Sequence, residues 1–437
     1  MGTQGDHQDQ RMGAADLDWY ELSRSPQPAK RDVLAVLDQE ITRAVDERVQ
    51  PGTRVGIAVG SRGIAGLAEV VAVVVAVLHN RGAIPVLIPA MGSHGSATSA
   101  GQLEVLRELG VDAQALGVSI DASMEAEEVG KLGGGQCVYV ACSALACDAV
   151  IPINRVKPHT EFRAPIESGL TKMLTIGLGK QLGASSLHSA GFEAFPDVLP
   201  EAARIVLAAL RVPFGVALVE DAWHRIQRAE VVPVELLLER DRALLSEAWR
   251  SFARLPFENI DVLVLREMGK AISGTGMDPN VTGRFPAKDL AASTVVECLV
   301  VLDLTRSSGG NAMGVGLADV VTERLRSKID WDATYANVMA SKALSNAKLP
   351  LVAQSDQAAL AIAMTSLTGA RGHVPHIVAM ANTLDVNHIA VSEPLVPIAT
   401  AAGYLPSGSR LRAEFSSSGT LIRIGGLEFF QEQYEIP

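Results

Sequence analysis

The chain has 437 residues, a formal net charge of −11, 48% hydrophobic residues and only 4% aromatic residues. At about 100–200 residues per domain, this length predicts two or three domains. No basic block stands out, which argues against a nucleic-acid surface because phosphate binding needs clustered Lys and Arg, although a local pocket for a small anion remains allowed.

The N-terminal stretch MGTQGDHQDQRMGAA is polar and glycine-rich, and it predicts a disordered tail over residues 1–15. It has no apolar core and does not resemble a signal peptide. Asp6 stands where a myristoylation motif needs Ser or Thr. The longest apolar run, AEVVAVVVAVLHN, is shorter than the about 20 residues that cross a bilayer. We therefore expect a cytoplasmic protein with no membrane partner.

From Arg54 the chain alternates short β-branched strands with loops and helices. RVGIAV predicts a strand, GSRGIAG a loop, and Ala65 to Asn80 a helix; AIPVLIPA, MGSHGSAT and SAGQLEVLRELG repeat that order. CVYVACS, AVIPINRV and PFGVALVE continue as strands, and VLPEAARIVLAALR is helical. Strand, loop and helix in repetition predict a parallel sheet with helical crossovers.

The second half predicts a smaller domain of the same class. A charged helix from about Val234 to Phe252 precedes the strands in RLPFENIDVLVLREMGK and STVVECLVVLDLT, the loop RSSGGNAMGVG and a helix in LADVVTERLRSKI. A boundary is expected near Leu255–Glu258, where a proline follows the polar helix. The predicted fold class is α/β, with two α/β domains, mainly parallel sheets and a cofactor cleft between them. The domains are 16–255 and 256–437, and the last segment could pack back on the first domain.

Three loops directly follow predicted strands and carry polar side chains. They are GSRG with Arg62, GSHG with His94, and VKPHTEF with His159. Open α/β sheets bind ligands at the carboxyl ends of their parallel strands. We therefore expect these three side chains to gather at one edge of the first sheet.

Each of the two loop histidines allows a plain structural reading beside a chemical one. His94 lies between glycines, which let the backbone approach a ligand, or it is a solvated loop residue. His159 follows a proline and could instead be bonded to nearby backbone. Since imidazole is well suited to proton transfer near neutral pH, two such side chains could serve as acid and base on one substrate.

A glycine-rich segment downstream holds Lys172 and His188. Lys172 lies in ESGLTKMLTIGLGK, an apolar setting that predicts either a lowered pKa, a covalent partner or a side chain that reaches out to water. His188 is either a satisfied structural histidine or a metal ligand, since neutral imidazole suits nickel, zinc and iron. GSRGIAG is either a flexible turn or a phosphate site on backbone N–H groups, with Arg62 adding charge.

The cysteines leave two readings open. Cys137, Cys142 and Cys147 lie five apart, Cys298 is remote, and no CxxC pair occurs. They could be small buried residues in a reduced compartment, or the first three could hold a metal or a cluster. Their spacing matches no common metal motif.

Taken together, these residues resemble the nickel-pincer-nucleotide lactate racemase family over roughly Arg54 to Glu393. The family carries a histidine after a VxPH-like strand end, a lysine in a Ser-Gly-x-x-Lys stretch, and a further histidine. His159 in VKPH, Lys172 in SGLTK and His188 match this order, and Lys172 and His188 are sixteen positions apart, as in the family. GSHG and GSRG resemble its histidine and arginine loops.

The resemblance implies a cofactor and a role for each residue. The family holds nickel in a pyridinium bis-thiocarboxylate mononucleotide, joined to a lysine through a thioamide. Lys172 would be the tether and His188 the protein ligand to nickel, with Gly60, Ser61 and Gly63 contacting the nucleotide. The substrate would be a small 2-hydroxy acid whose C2 hydride passes to the cofactor and back. His94 and His159 would be the acid and base, and Arg62 and Lys270 would bind substrate.

Some positions depart from the lactate-specific members. The interval from His159 to Lys172 is longer, Val59 replaces an aspartate near the first arginine, and Met268 and Gly269 beside Lys270 do not match. These differences predict a racemase or epimerase acting on a hydroxy acid other than lactate.

Two other classes of function remain to be weighed. A homologue on the same fold could perform different chemistry, or bind a metabolite without nickel. A scaffolding protein fits poorly with histidines at several strand ends. A homo-oligomer is compatible with the sequence.

Overall fold

The computed structural model describes residues 14–26, 33–61, 63–64, 66–286, 290, 293–341, 343–368, 374–408 and 410–431. The chain divides into two compact units, Gln27–Phe252 and Met1–Pro26 with Ala253–Pro437. Both are α/β in class. No helix within the described ranges is long and apolar enough to cross a membrane.

The strands of the described chain form four sheets. In chain order they are β1 (Trp19–Ser23), β2 (Arg54–Val59), β3 (Ile84–Pro89), β4 (Ser119–Ile120), β5 (Ala126–Lys131), β6 (Cys137–Ala141), β7 (Ala149–Arg155), β8 (Phe214–Glu220), β9 (Ile226–Pro233), β10 (Asn259–Leu265), β11 (Val295–Val301), β12 (Val320–Thr322), β13 (Leu351–Ala353), β14 (Ile377–Met380), β15 (His388–Ser392), β16 (Leu405–Pro406), β17 (Glu414–Phe415), β18 (Leu421–Ile424) and β19 (Leu427–Glu428).

The α-helices lie mostly between strands, as crossover connections require. In chain order they are α1 (Val33–Arg48), α2 (Leu67–Asn80), α3 (Ser99–Glu108), α4 (Ala113–Leu116), α5 (Cys142–Leu145), α6 (Gly169–Lys172), α7 (Lys180–His188), α8 (Phe195–Ala209), α9 (Leu237–Ser251), α10 (Pro279–Thr282), α11 (Glu323–Ser327), α12 (Trp331–Ser341), α13 (Asp356–Ser366) and α14 (Val396–Ala401).

The unit Gln27–Phe252 is built on a six-stranded sheet in the order β4-β3-β2-β7-β8-β9. All neighbouring pairs are parallel except β8 with β9. Counted along the chain, these strands stand in the order 3-2-1-4-5-6, which is that of doubly wound sheets that bind dinucleotides. The order reverses between β2 and β7, so a ligand crevice is expected at their carboxyl ends.

Two apolar layers enclose this sheet. Alternate residues of a strand face opposite sides, so Val55 and Ile57 pack with α1 and α2, whereas Ala58 faces the helices α6 to α9. Both layers consist mainly of Val, Leu, Ile and Ala. This explains why β2 and β3 read as nearly continuous apolar runs in the sequence.

The other unit contains an eight-stranded sheet in the order β13-β12-β11-β10-β14-β15-β1-β16. Strands β10 to β14 pair in parallel, and β15, β1 and β16 join antiparallel at one side. The sequence placed residues 16–26 in the first domain, but β1 lies between β15 and β16 here. Trp19 is fully buried in this unit's core, which explains why the chain start belongs to it.

The predicted helix LADVVTERLRSKI is wrong in its first half. Val320–Thr322 form β12, which pairs in parallel with β11 and β13, and only Glu323–Ser327 are helical. β-Branched residues favour a strand where a partner edge is available. CVYVACS is a strand as predicted, but it pairs antiparallel with β5 in a separate two-stranded sheet.

Candidate functional site

The candidate site lies at the carboxyl ends of β2, β3 and β7. These strands are parallel neighbours, so the loops that follow them leave the sheet at the same edge. The loop after β2 holds Gly60 and Ser61, the loop after β3 holds His94, and the loop after β7 holds His159. The sheet order therefore supplies what the sequence left open, which is the placement of these three loops side by side.

A hydrogen bond between side chains joins the first two loops. Ser61 Oγ and His94 Nδ1 share a short contact, and the His94 side chain is exposed. A serine hydroxyl can donate or accept, so both neutral tautomers of His94 are compatible with this contact. Arg62 lies outside the described residues, and Gly63 is exposed.

Gly60 brings the end of β2 against the segment that carries Lys172. A Cβ atom at Gly60 would lie 3.1 Å from Asn154 Oδ1 and 3.3 Å from Met173 Cε. The Asn154 side chain in turn donates to the Gly169 carbonyl at 2.7 Å. The loop after β2 thus adjoins β7 and the helix α6 through close contacts that leave little room for a side chain.

His159 is held by its own loop. Its backbone N–H donates to Glu167 Oε2 at 2.7 Å, and its Nδ1 accepts from the Glu161 N–H at 3.1 Å. Because Nδ1 is an acceptor, the neutral ring carries its hydrogen on Nε2. His159 therefore presents an Nε2–H donor, and it can bind a second proton only by giving up the Glu161 contact.

Three phenylalanines connect His159, Lys172 and His188. The Phe162 ring centroid lies 4.3 Å from that of His159 and 5.3 Å from Lys172 Nζ. Phe162, Phe192 and Phe195 form one aromatic cluster. The His188 ring centroid lies 5.7 Å from that of Phe192 and 5.4 Å from that of Phe195. His159 also contacts Phe192, at 5.9 Å. Three of the residues predicted from sequence thus meet around one aromatic cluster.

His188 has the chemistry of a neutral nitrogen ligand. Its Nδ1 lies 2.6 Å from the Ala184 carbonyl oxygen, so Nδ1 carries the hydrogen and Nε2 keeps its lone pair. Burial and, to a smaller extent, the positive charge of Lys172 lower the pKa of His188 to about 4, although the hydrogen bond to Ala184 opposes this shift. The imidazole is therefore neutral near pH 7, as metal binding requires.

In the absence of a cofactor, protonation of His188 should destabilise the folded protein at acid pH. Its folded-state pKa lies below the unfolded value near 6.5, so the unfolded chain binds the proton first. The stabilisation is complete above the unfolded value and is lost as the pH falls through the folded one, by up to about 3 kcal/mol. Urea unfolding at about pH 7 and about pH 4.5 measures this loss. In His188→Gln the pH dependence should be weaker; equal dependence in both proteins would contradict the assignment.

A buried carboxylate anchors the short helix that ends at Lys172. Asp241, on α9, accepts from the Leu170 N–H at 3.2 Å and from the Thr171 N–H and hydroxyl at 2.7 and 2.6 Å. Burial raises its pKa to about 6 although these donors oppose the rise. Gly169 adopts a φ of +87°, and a Cβ there would fall 2.4 Å from Asp241 Oδ1. The sequence reasoning missed Asp241, which reads as one more charge on a polar helix.

The helix then widens before it continues. Met173–Gly177 form one turn of π-helix between α6 and α7, and all five residues are buried. Such turns are rare and occur frequently at functional sites. Here the turn separates Lys172 from the helix that ends at His188.

Glu167 closes the loop between His159 and Lys172. Its carboxylate accepts from the N–H groups of His159 and Ala164, and burial raises its pKa. Ser168 Oγ accepts from the Lys157 N–H at 2.7 Å and donates to the Lys157 carbonyl at 2.6 Å. The long interval between His159 and Lys172 is therefore a loop whose first residues are hydrogen-bonded to residues near its end. Neither residue was predicted, because a carboxylate and a hydroxyl in a loop give no signal without their burial.

Lys270 belongs to the other compact unit. Its ammonium donates to the Gly274 carbonyl at 2.7 Å and to Asn337 Oδ1 at 3.1 Å. These bonds join Lys270 to its own loop and to α12, and a contact with substrate stays a prediction.

The structure does not support a cysteine metal site. Cys137, Cys142 and Cys147 are half-buried free thiols. No group of three or more His, Cys, Asp or Glu side chains that could hold a metal occurs in the described part of the chain.

No family model and no curated protein matches this chain. Among solved structures, the lactate racemase apoprotein from Thermoanaerobacterium thermosaccharolyticum covers 73% of this chain and 80% of its own, with a TM-score of 0.45 and 13% sequence identity. A likeness at this level assigns neither a family nor an activity.

Proposed function

We propose that the chain is a racemase or epimerase of a small 2-hydroxy acid that uses a nickel-pincer nucleotide tethered to Lys172. The observation that supports this most is the meeting of Lys172, His159 and His188 at the aromatic cluster. An amine and two imidazoles, one a donor at Nε2 and one with a free Nε2 lone pair, thereby lie around one set of aromatic rings. Those are the groups that the family pattern assigns to tether, acid/base and metal ligand.

The residues fit such a cofactor. Lys172 would hold it covalently through its amine, and His188 would be its protein ligand through the free Nε2 lone pair. Gly60, Ser61 and Gly63 would face the nucleotide, since loops at a switch point bind phosphates through backbone N–H groups. When bound, the group would supply a reversible two-electron acceptor for the substrate's C2.

His94 and His159 would handle the hydroxyl proton from different loops. His94 can take a proton at Nε2 while Nδ1–H is donated to Ser61 Oγ. His159 presents Nε2–H to a substrate oxygen, and it must release the Glu161 N–H before it can carry a full positive charge. Arg62 would neutralise the substrate carboxylate, because a guanidinium pairs with it through two donors. Lys270 is proposed as a further substrate contact on the sequence pattern alone.

The test is turnover by protein produced together with the enzymes that build the cofactor. Single enantiomers from a panel of chiral 2-hydroxy acids are incubated with it in deuterated water, and both configuration and deuterium content are measured. We expect inversion of at least one acid with its C2 protium retained, because the C2 hydrogen moves with its electron pair and never exchanges with solvent.

The same assay separates the alternatives. Inversion with deuterium at C2 would indicate proton abstraction, which is different chemistry on this fold. Binding of an acid without inversion by cofactor-loaded protein would favour a metabolite-binding homologue and refute the proposal. Protein loaded in the same way but carrying His188→Ala serves as the matched control.

A further inference from the structure

Lys180 is a fully buried lysine at the start of the helix that ends at His188. It has no exposed surface and adopts a φ of +53°, a left-handed backbone that is uncommon outside glycine. Burial lowers its pKa to about 8, against a smaller opposing effect of the Asp121 charge. Ammonium groups are rarely buried unless something specific holds them.

The ammonium of Lys180 has defined acceptors. It donates to the Pro89 carbonyl at 2.7 Å and to Gln102 Oε1 at 3.1 Å. Pro89 is the last residue of β3, directly before the loop that carries His94, and Gln102 lies on α3 directly after that loop. Lys180 is therefore hydrogen-bonded to residues on both sides of the His94 loop.

Gln102 is in turn hydrogen-bonded to the backbone of the His94 loop. Its side chain has no exposed surface, and its Nε2 donates to the Gly92 carbonyl at 3.0 Å and to the His94 carbonyl at 3.3 Å. With its oxygen bound to Lys180 and its nitrogen to the loop, the amide orientation is determined. The chain of contacts runs from α7 through Lys180 and Gln102 to the backbone of His94.

A second set of contacts joins the same two segments. The Gly92 N–H donates to the Gly177 carbonyl at 3.0 Å. A Cβ atom at Gly177 would lie 2.5 Å from the Ala90 carbonyl oxygen, so only glycine allows this approach. The His94 loop thus rests directly on the π-helical turn between Lys172 and His188.

A methionine or leucine at position 180 would fill a similar volume without the cost of removing an ammonium from water. It would also leave the Pro89 carbonyl and Gln102 Oε1 without this donor. What the ammonium adds is direction, because its bonds order the backbone on both sides of the exposed His94.

We infer that Lys180 and Gln102 are positioning residues that hold the His94 loop in register with the segment carrying Lys172 and His188. The contribution to catalysis rests on the proposed function, whereas the mechanical coupling does not.

Two variants test the coupling. Lys180→Met removes the ammonium and keeps most of the stem. Gln102→Glu keeps an oxygen for Lys180 but deletes the N–H donors to Gly92 and His94. Hydrogen–deuterium exchange is measured for the amide of Gly92, which is bonded to the Gly177 carbonyl, and for the amide of His94, which is bonded to the Met91 carbonyl. Exchange should become about tenfold faster in both variants, with the amides of β2 and β7 unchanged. Lys131→Met, on an exposed strand, is the control.

The outcomes separate the two hypotheses. In cofactor-loaded enzyme, both variants should keep the cofactor mass and the substrate KM, while kcat falls about tenfold. Unchanged loop exchange in both variants, even with a lower Tm, would overturn the inference. Faster loop exchange in a protein whose wild type inverts no hydroxy acid would support the coupling and refute the proposed function alone.

Discussion

Replacing Lys172 by arginine should abolish covalent attachment of the nucleotide while leaving the protein folded. Arginine keeps a positive charge near the Phe162 ring, where Lys172 Nζ now lies 5.3 Å from the centroid. It has no amine that can form the thioamide. The intact mass of protein produced with the cofactor-building enzymes should show a full adduct in wild type and none in the variant.

The control for this experiment is Lys157→Arg, in the neighbouring loop. The backbone N–H and carbonyl of Lys157 are bonded to Ser168 Oγ, and arginine keeps both groups, so the fold and the adduct should both survive. An adduct of unchanged mass in Lys172→Arg would show that another residue carries the group. Loss of the adduct in both variants would show that the loop, and not the amine, determines loading.

Much of the first unit could be predicted from local pattern. The strands β2, β3, β7 and β8 and the helices α2, α3, α8 and α9 were expected within a few residues of where they lie. Each of these strands and helices could be recognised because the spacing of its apolar residues reflects which of its faces is buried. The α/β class is confirmed, with mainly parallel sheets.

Long-range pairing had no such local signal. Trp19–Ser23 pair with His388–Ser392, far away in the chain, and this pairing joins the chain start to the other unit. Val320–Thr322 became a strand because parallel partners flank it on both sides. In each case a partner strand that lies far away in the chain decided what the local sequence had left open.

The sequence suggested candidate reactive groups, whose roles stay predictions, and it did not suggest the residues that support them. Histidines and a lysine in glycine-rich loops are unusual, and they are visible in the sequence. The supporting residues are of types that are common on helices and in loops: Asp241, Glu167 and Gln102. Their importance follows from their burial and from the backbone groups they bind. Supports of this kind emerge only when distant segments are brought together.

Removing either proposed acid/base histidine should leave the metal bound and nearly stop turnover. One positioned acid or base contributes about 10²–10⁴-fold in rate, so kcat in His94→Ala and in His159→Ala should fall by that factor. Both variants keep Lys172 and His188, so nickel content per protein should equal that of wild type. Metal analysis and inversion rate are measured on the same samples.

His188→Ala should show the opposite pattern. It removes the neutral Nε2 that is the proposed protein ligand, so nickel should be lost while the cofactor adduct on Lys172 can remain. His388→Ala is the matched control, because His388 is an exposed histidine of the other unit paired with Asp385. It should change neither metal content nor rate.

The comparison of the three site variants decides between a catalytic and a structural reading of the histidines. Full nickel in His188→Ala would remove the metal assignment. Full activity in both His94→Ala and His159→Ala would show that these side chains have a structural role and no catalytic one. A larger loss in His94→Ala than in His159→Ala is the asymmetry we expect, since His94 can change its tautomer against Ser61 whereas His159 is bound at Nδ1 by a backbone donor. The proton then enters and leaves more easily on the side of the exposed histidine.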